Sequence, residues 1–201
     1  MYQYTDQEFN EVDFSRTDQR DGELTRCTFV RCRFIGTSLE EITTAGCRFI
    51  ECDFTAAHLN ASIHTESAFE NCIFHDANLF VSKFTECKMT GSDFTKAQLD
   101  GITIEQGDWS YTNLRFAGLA KQDLRGIRLL EADLTGANLE KADLRKAELT
   151  RTQFAKAKLK GADLRGAEMD GVNFRSFSVE GARMDGNQAV SFMRAFGAKV
   201  D

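Results

Sequence analysis

Ala132-Asp133-Leu134-Thr135-Gly136-Ala137-Asn138-Leu139-Glu140-Lys141 is two five-residue units laid end to end, and it sets the reading of the whole chain. Each unit has one large apolar residue, Leu134 or Leu139, with a small one two places before it, Ala132 or Ala137. Working outward, the same spacing places Phe14, Phe29, Phe34, Phe49, Phe54, Phe69, Phe74, Phe84 and Phe94, then Leu114 through Leu149, at numbers ending in 4 or 9. From Phe9 to Met184 there are 36 such positions, and 33 hold Phe, Leu, Met, Ile, Val or Trp; Gln19, Thr44 and His64 are the exceptions. An amphipathic helix repeats near 3.6 and a strand near 2, so a period of five is neither.

The slot two residues before each large residue is small and uncharged, as at Thr37, Ala57, Ser62, Ala132 and Ala142, and it holds all six cysteines (Cys27, Cys32, Cys47, Cys52, Cys72, Cys87). Two residues in five therefore point inward. Eleven of the 15 glycines lie two places after the large residue, which predicts a corner where the backbone dihedral is awkward for a side chain. Stepping by 20 gives a Phe-rich column (Phe14, Phe34, Phe54, Phe74, Phe94) beside a Leu-rich one (Leu39, Leu59, Leu79, Leu99, Leu119), so four units make one coil. The pattern predicts an all-β solenoid of about nine coils, roughly 43 Å long at the ~4.8 Å interstrand spacing. Proline is absent, as a chain that needs nearly every N–H for a ladder requires. Bulky or polar residues in the small slot, Ile102, Gln122, Ile127 and Phe177, are the expected points of distortion.

The formal charge of -6 argues against a direct nucleic-acid partner and for a basic one. No apolar run approaches the ~20 residues of a membrane span, and the opening MYQYTDQEFNE has no basic, then apolar, export leader, so a cytoplasmic location is expected. Free cysteines suit that compartment. Neither a cofactor, a metal nor a small-molecule substrate is expected. The cysteines read as core thiols, the three histidines fall on different faces, and Trp109 occupies a large inward slot. No phosphate loop, nucleophile elbow or paired acids in a cleft can be read, so the chain is expected not to be an enzyme.

Charge is uneven. Residues 1–100 sum to -8 and residues 101–201 to +2. The face whose large residues are Phe9, Phe29, Phe49, Phe69, Met89 and Trp109 carries Glu8, Glu11, Glu51, Glu70, Asp108, Glu131, Glu148, Glu168 and Asp170 against Arg31, Arg48, Lys88, Arg128 and Arg151, a net of -4. Such charges keep a rod soluble, and on a rigid rod one acidic face also presents anions to a basic groove built for duplex DNA. The candidate contact residues are Glu51, Glu70, Asp108, Glu131, Glu148, Glu168 and Asp170.

After Met184 the repeat ends, and residues 186–201 form a separate tail behind the 1–185 solenoid. Asn187 is the expected N-cap and Gly197 the stop of a short helix. The helix is either a simple end cap or a cap that also forms a two-fold interface, since Val190, Phe192, Met193 and Phe196 are a large apolar load for so short an element.

Ala132-Asp133-Leu134-Thr135-Gly136 and Ala162-Asp163-Leu164-Arg165-Gly166 resemble the A(D/N)LxG unit of pentapeptide-repeat proteins. That resemblance implies a right-handed quadrilateral β-helix with a short C-terminal α-helix. Residues 79–94 (LFVSKFTECKMTGSDF) and Gln188-Ala189-Val190-Ser191-Phe192 are similar to the topoisomerase-protecting branch: mycobacterial fluoroquinolone-resistance, plasmid quinolone-resistance, and albicidin- and microcin-immunity proteins. The branch implies a homodimer joined through its C-terminal coils and helix (here Phe177, Val190, Phe192, Met193 and Phe196). It also implies a DNA-like rod that binds DNA gyrase and shields it from poisons, and leaves open whether topoisomerase IV is bound as well. The alternative is a solenoid scaffold for an unrelated protein. The unbroken register has no room for the loops that interrupt the plasmid proteins, so any mechanism resting on such loops is not expected here.

Overall fold

The protein, seen in a computed structural model that describes residues 2–200, is wound so that each residue pairs with the one twenty positions on. Six strands, β1 (Gln3–Thr5), β3 (Glu23–Thr25), β5 (Thr43–Ala45), β7 (Ile63–Thr65), β9 (Lys83–Thr85) and β10 (Thr103–Glu105), stack in that order as one parallel sheet. Four more, β2 (Glu8–Asn10), β4 (Thr28–Val30), β6 (Arg48–Ile50) and β8 (Ala68–Glu70), form a second. The other faces are held by single parallel bridges at the same offset, from Asp13↔Arg33 to Asp163↔Arg183. With three residues per strand and a corner in every unit, the chain is the quadrilateral β-solenoid expected from the five-residue period.

Identical side chains stack because the register places them one above another. Phe14, Phe34, Phe54, Phe74 and Phe94 lie with ring centroids 4.8–5.0 Å apart and planes within 7°. Phe9, Phe29, Phe49 and Phe69 form a second column at 4.6–4.8 Å, meeting the first largely edge to face. Offset stacking and edge contacts of this kind add to the burial of the rings. Trp109 closes the aromatic half, and leucine fills the large slots from Leu114 to Leu149, with Phe154, Met169 and Phe174 among those beyond.

Corners come in two kinds, and the kind decides the residue in the small slot. At tight corners the N–H three places on donates to the carbonyl of the large residue, as Thr37 does to Phe34 and Ala57 to Phe54 (3.2 and 3.0 Å). At the wide corners on either side of the four-stranded sheet no such bond forms, and every cysteine sits in a slot just past a wide corner. Four thiols donate to the large residue's carbonyl one coil back: Cys32 to Phe9, Cys52 to Phe29, Cys72 to Phe49 and Cys87 to His64 (3.3–3.5 Å). Serine and threonine do the same at tight corners, Ser82 to Leu59 at 2.7 Å and Thr152 to Leu129 at 2.7 Å. Past Trp109 the corners are tight, and alanine suffices. At Gln122 and Ile127 the turn bonds lengthen to 3.4 and 3.3 Å, the loosening expected of an oversized small-slot residue.

The corner residue has a positive φ, but glycine is not required for that: twenty-five other residues adopt it, from Asp6 at 54° to Lys156 at 59°. What glycine supplies is room for the corner side chain of the coil before. A Cβ on Gly136 would come within 2.5 Å of the Phe116 ring. Gly107, in a small slot, lies against the backbone of the previous coil, with Cys87 O only 2.2 Å from where a Cβ would be. The Asp or Asn before the large residue has its own task, accepting the N–H two places on, as Asp133 does from Thr135 and Asn138 from Glu140 (2.9 and 3.1 Å).

The inward polar residues satisfy one another. His64 is fully enclosed, its Nδ1 2.8 Å from Thr44 Oγ1 and its Nε2 2.9 Å from Ser62 Oγ, with its ring stacked on Phe84. Burial pushes its pKa down to about 3. The C-terminal edge is closed by α1 (Gly186–Ala195). Its N-cap is Asp185 rather than the expected Asn187, because Asp185 and Gln188 form a reciprocal capping box. The Gln188 amide also donates to the carbonyls of Leu164 and Ala167, groups the next coil would otherwise engage. Gly197, at φ 90°, ends the helix as expected.

Two outcomes follow from this packing. An unfolded chain protonates His64 below about pH 6.5 while the native chain does not, so unfolding free energy should fall by about 1.4 kcal/mol per pH unit between pH 6.5 and 5. Urea titrations of the parent and of His64→Phe should differ by that slope; equal slopes would show that the ring is not held neutral. Burial raises the Cys47 and Cys87 thiols to about 11, and all six are buried, so an aromatic disulfide reagent should find no reactive thiol until the chain is unfolded.

Candidate functional site

The expected acidic face is present as a stack of columns, but its seven candidate residues divide into two groups. Glu70, Asp108, Glu131 and Glu148 are half-buried and neutralised along the rod axis. Lys88 holds Glu70, Arg151 holds Glu131 at 2.7 Å, and Arg128 bridges Asp108 (3.2 Å) to Glu148 (2.8 Å). Glu51, Glu168 and Asp170 are exposed and have no ion-pair partner among the described residues. The bare anions of this face therefore lie toward its two ends. Its middle is a paired lattice, which screened surface ion pairs of this type hold only weakly.

A second arrangement was not foreseen from the sequence. Asp123, Asp143 and Asp163 stack in one column and Arg125, Arg145 and Arg165 in the next, each arginine gripping the aspartate two places before it at 2.6 Å. The Arg165 hydrogen bond holds Asp163 down at about 2. Asp123, Arg125 and Arg145 also line a surface groove of about 790 Å³ where the six-stranded sheet ends, together with Glu86, Glu105, Gln106 and Lys146. The sequence signal for that step is the Gln106-Gly107 pair, where a glycine takes the small slot, as Gly22 does near the start of the rod.

The candidate interface residues of the C-terminal end are brought together around the helix. Phe192 meets Phe174 edge to face at 5.7 Å and Phe196 at 4.8 Å, and Phe177 packs on Phe154 and Phe174. Arg175 donates to the Ala195 carbonyl at 2.7 Å and lies over the Phe196 ring. Val190 and Phe192 are half-buried, whereas Met193 and Phe196 remain 43% and 55% exposed at the end of the rod. No cluster of three or more metal-binding side chains occurs among the described residues, and none of their helices is long and apolar enough to cross a membrane.

The fold matches that of QnrB1, described as a plasmid-mediated fluoroquinolone resistance protein. The full-length form aligns with a TM-score of 0.84 and 22% identity over 98% of this chain and 100% of that one. A trypsin-treated form aligns at 0.86 and 22% over 100% of both chains, and another at 0.77 and 22% over 96% and 99%. No curated protein matches in sequence. The profile of the pentapeptide repeat region matches residues 42–114, and that of pentapeptide repeats in eight copies matches 112–151 and 147–186. The five-residue period, the quadrilateral coil and these matches agree, and the chain belongs to the pentapeptide-repeat family.

Proposed function

We propose that the protein is a non-catalytic, cytoplasmic binder of DNA gyrase, and of topoisomerase IV as a second target, that protects the enzyme from poisons of the quinolone or albicidin type. The observation that carries this reading is the overlay, end to end, on a plasmid-mediated fluoroquinolone resistance protein. The rod's shape and its exposed acids suit a groove made for duplex DNA, since phosphate recognition is chiefly a matter of regularly placed anions. Its contacts would be made by Glu51, Glu168 and Asp170, the acids left without partners, while Glu70, Asp108, Glu131 and Glu148 reach a basic partner only by exchanging the cations they already hold. The exposed Met193 and Phe196 would join two rods end to end.

A scaffold for an unrelated protein is the second reading, favoured by the lengthwise neutralisation of the acidic face. Supercoiling by purified gyrase in the presence of a fluoroquinolone separates the two. Protection at low protein and inhibition at higher protein are expected, and no effect at any concentration would favour the scaffold. Reversing Glu51, Glu168 and Asp170 to lysine should weaken gyrase binding at least tenfold and steepen no salt dependence; unchanged affinity would remove the face from the interface. Met193→Asp with Phe196→Asp should halve the particle mass in solution, and an unchanged mass would rule out the end-to-end contact.

A further inference from the structure

Between residues 21 and 141 one corner of the rod reads the same in both directions when charge is inverted. From residue 21 to residue 141 its residues, one per coil, are Asp21, Glu41, Ala61, Val81, Gly101, Lys121 and Lys141, after which the line runs on through Gly161 and Gly181. They stack in a line, as the N–H of Asp21, Glu41, Ala61, Val81, Lys121 and Lys141 each donates to a carbonyl of the next coil (2.8–3.1 Å). At ~4.8 Å per coil the line is about 29 Å long. Two acids occupy one end and two lysines the other, all four exposed and without an ion-pair partner among the described residues. The apolar residue stands at the centre, flanked by Ala61 and Gly101.

We propose that this corner is a self-complementary edge through which two copies of the chain pair side by side and antiparallel, about a two-fold axis at Val81. A two-fold contact requires that the residue set map onto itself. Here Asp21 meets Lys141 of the other copy, Glu41 meets Lys121, Ala61 meets Gly101, and Val81 meets its own equivalent. The small residues beside the centre let the two backbones approach. In the adjoining column the same axis sets Phe80 against Phe80, Asn60 against Asp100, Glu40 against Ala120, and Arg20, which also holds Asp18, against Glu140.

The centre carries two independent marks of an interface. Phe80 and Val81 are 51% and 46% exposed, neighbouring large apolar residues on an otherwise polar edge. Val81 is also held at φ 52°, the one β-branched side chain among the twenty-five non-glycine residues with positive φ. That conformation is a true outlier for a branched residue, and strain of this kind persists where a contact uses it. Charged and amide residues, alanines, Tyr111, Phe116 and glycines occupy the equivalent corners elsewhere in the rod.

Charge exchange tests the edge without touching the core or the C-terminal helix. Lys121→Glu with Lys141→Glu makes both ends acidic, and Asp21→Lys with Glu41→Lys makes both basic; Glu and Lys already occupy corners of this φ, so the backbone is not disturbed. Built into the Met193→Asp, Phe196→Asp chain, in which this edge alone can pair, each variant by itself should sediment at low salt with half the mass of that chain, and an equimolar mixture of the two should restore it. Val81→Asn should likewise halve the mass while raising the thermal midpoint by relieving the strain. Circular dichroism unchanged from the parent checks the fold. Retention of the parental mass by either charge variant, or failure of the mixture to recover it, would overturn the proposal. The Met193→Asp, Phe196→Asp chain is expected to keep the edge contact, so loss of the end-to-end interface and loss of this one are told apart.

Discussion

The carbonyl of the large inward residue is the group on which the coil depends. It points where water cannot reach, and each one needs a donor. At a tight corner the backbone supplies it three residues on. At a wide corner the backbone does not, and a thiol from the next coil takes the place. The two sheets, the wide corners on either side of the four-stranded one and the cysteines thus form one arrangement, confined to the half of the rod before Trp109. Beyond it the corners tighten, and Ala132, Ala137 and Ala142 are enough.

Much of this is written plainly in the chain. A five-residue period that never slips over the whole repeat has no helical or flat-sheet solution, so the inward slots, the four-sided coil and the buried thiols were legible from residue types alone. The C-terminal helix was legible too, within two residues at its start, where Asn187 and Asp185 are both competent caps and only the reach of Gln188 to Asp185 decides between them. The meaning of the corner glycines was harder to read. Their dihedral is shared by charged residues throughout, and the reason for Gly136 is the ring of Phe116 one coil away. That contact lies twenty residues off in sequence and has no local signature.

The candidate surface was legible as composition and illegible as chemistry. Counting charges on a face gives a net value, whereas the effect on a partner depends on which charges are already engaged. Arg128 alone occupies both Asp108 and Glu148, so three charges present little more than one. Axial pairing of this sort follows from the stacking itself, because a side chain on one coil always has a neighbour one rung away. The consequence is a rod whose free charge lies where the columns lack an opposite neighbour, as at Glu51, at Glu168 and Asp170, and along the corner that runs from Asp21 to Lys141.

The fourfold division of the coil also sets an angular clock. Adding or removing one five-residue unit anywhere before the tail would barely change the length of the rod, yet it would turn everything beyond that point by a quarter circle about the axis. The exposed Met193 and Phe196 at the end of the rod would then face a different side relative to Glu51 and Asp21 near its start. A whole coil of twenty residues, by contrast, lengthens the rod and leaves that bearing intact. In a family that grows by duplicating short units, the number of units modulo four decides the direction in which one end looks from the other, and with it the relative orientation of any two partners the rod holds at once.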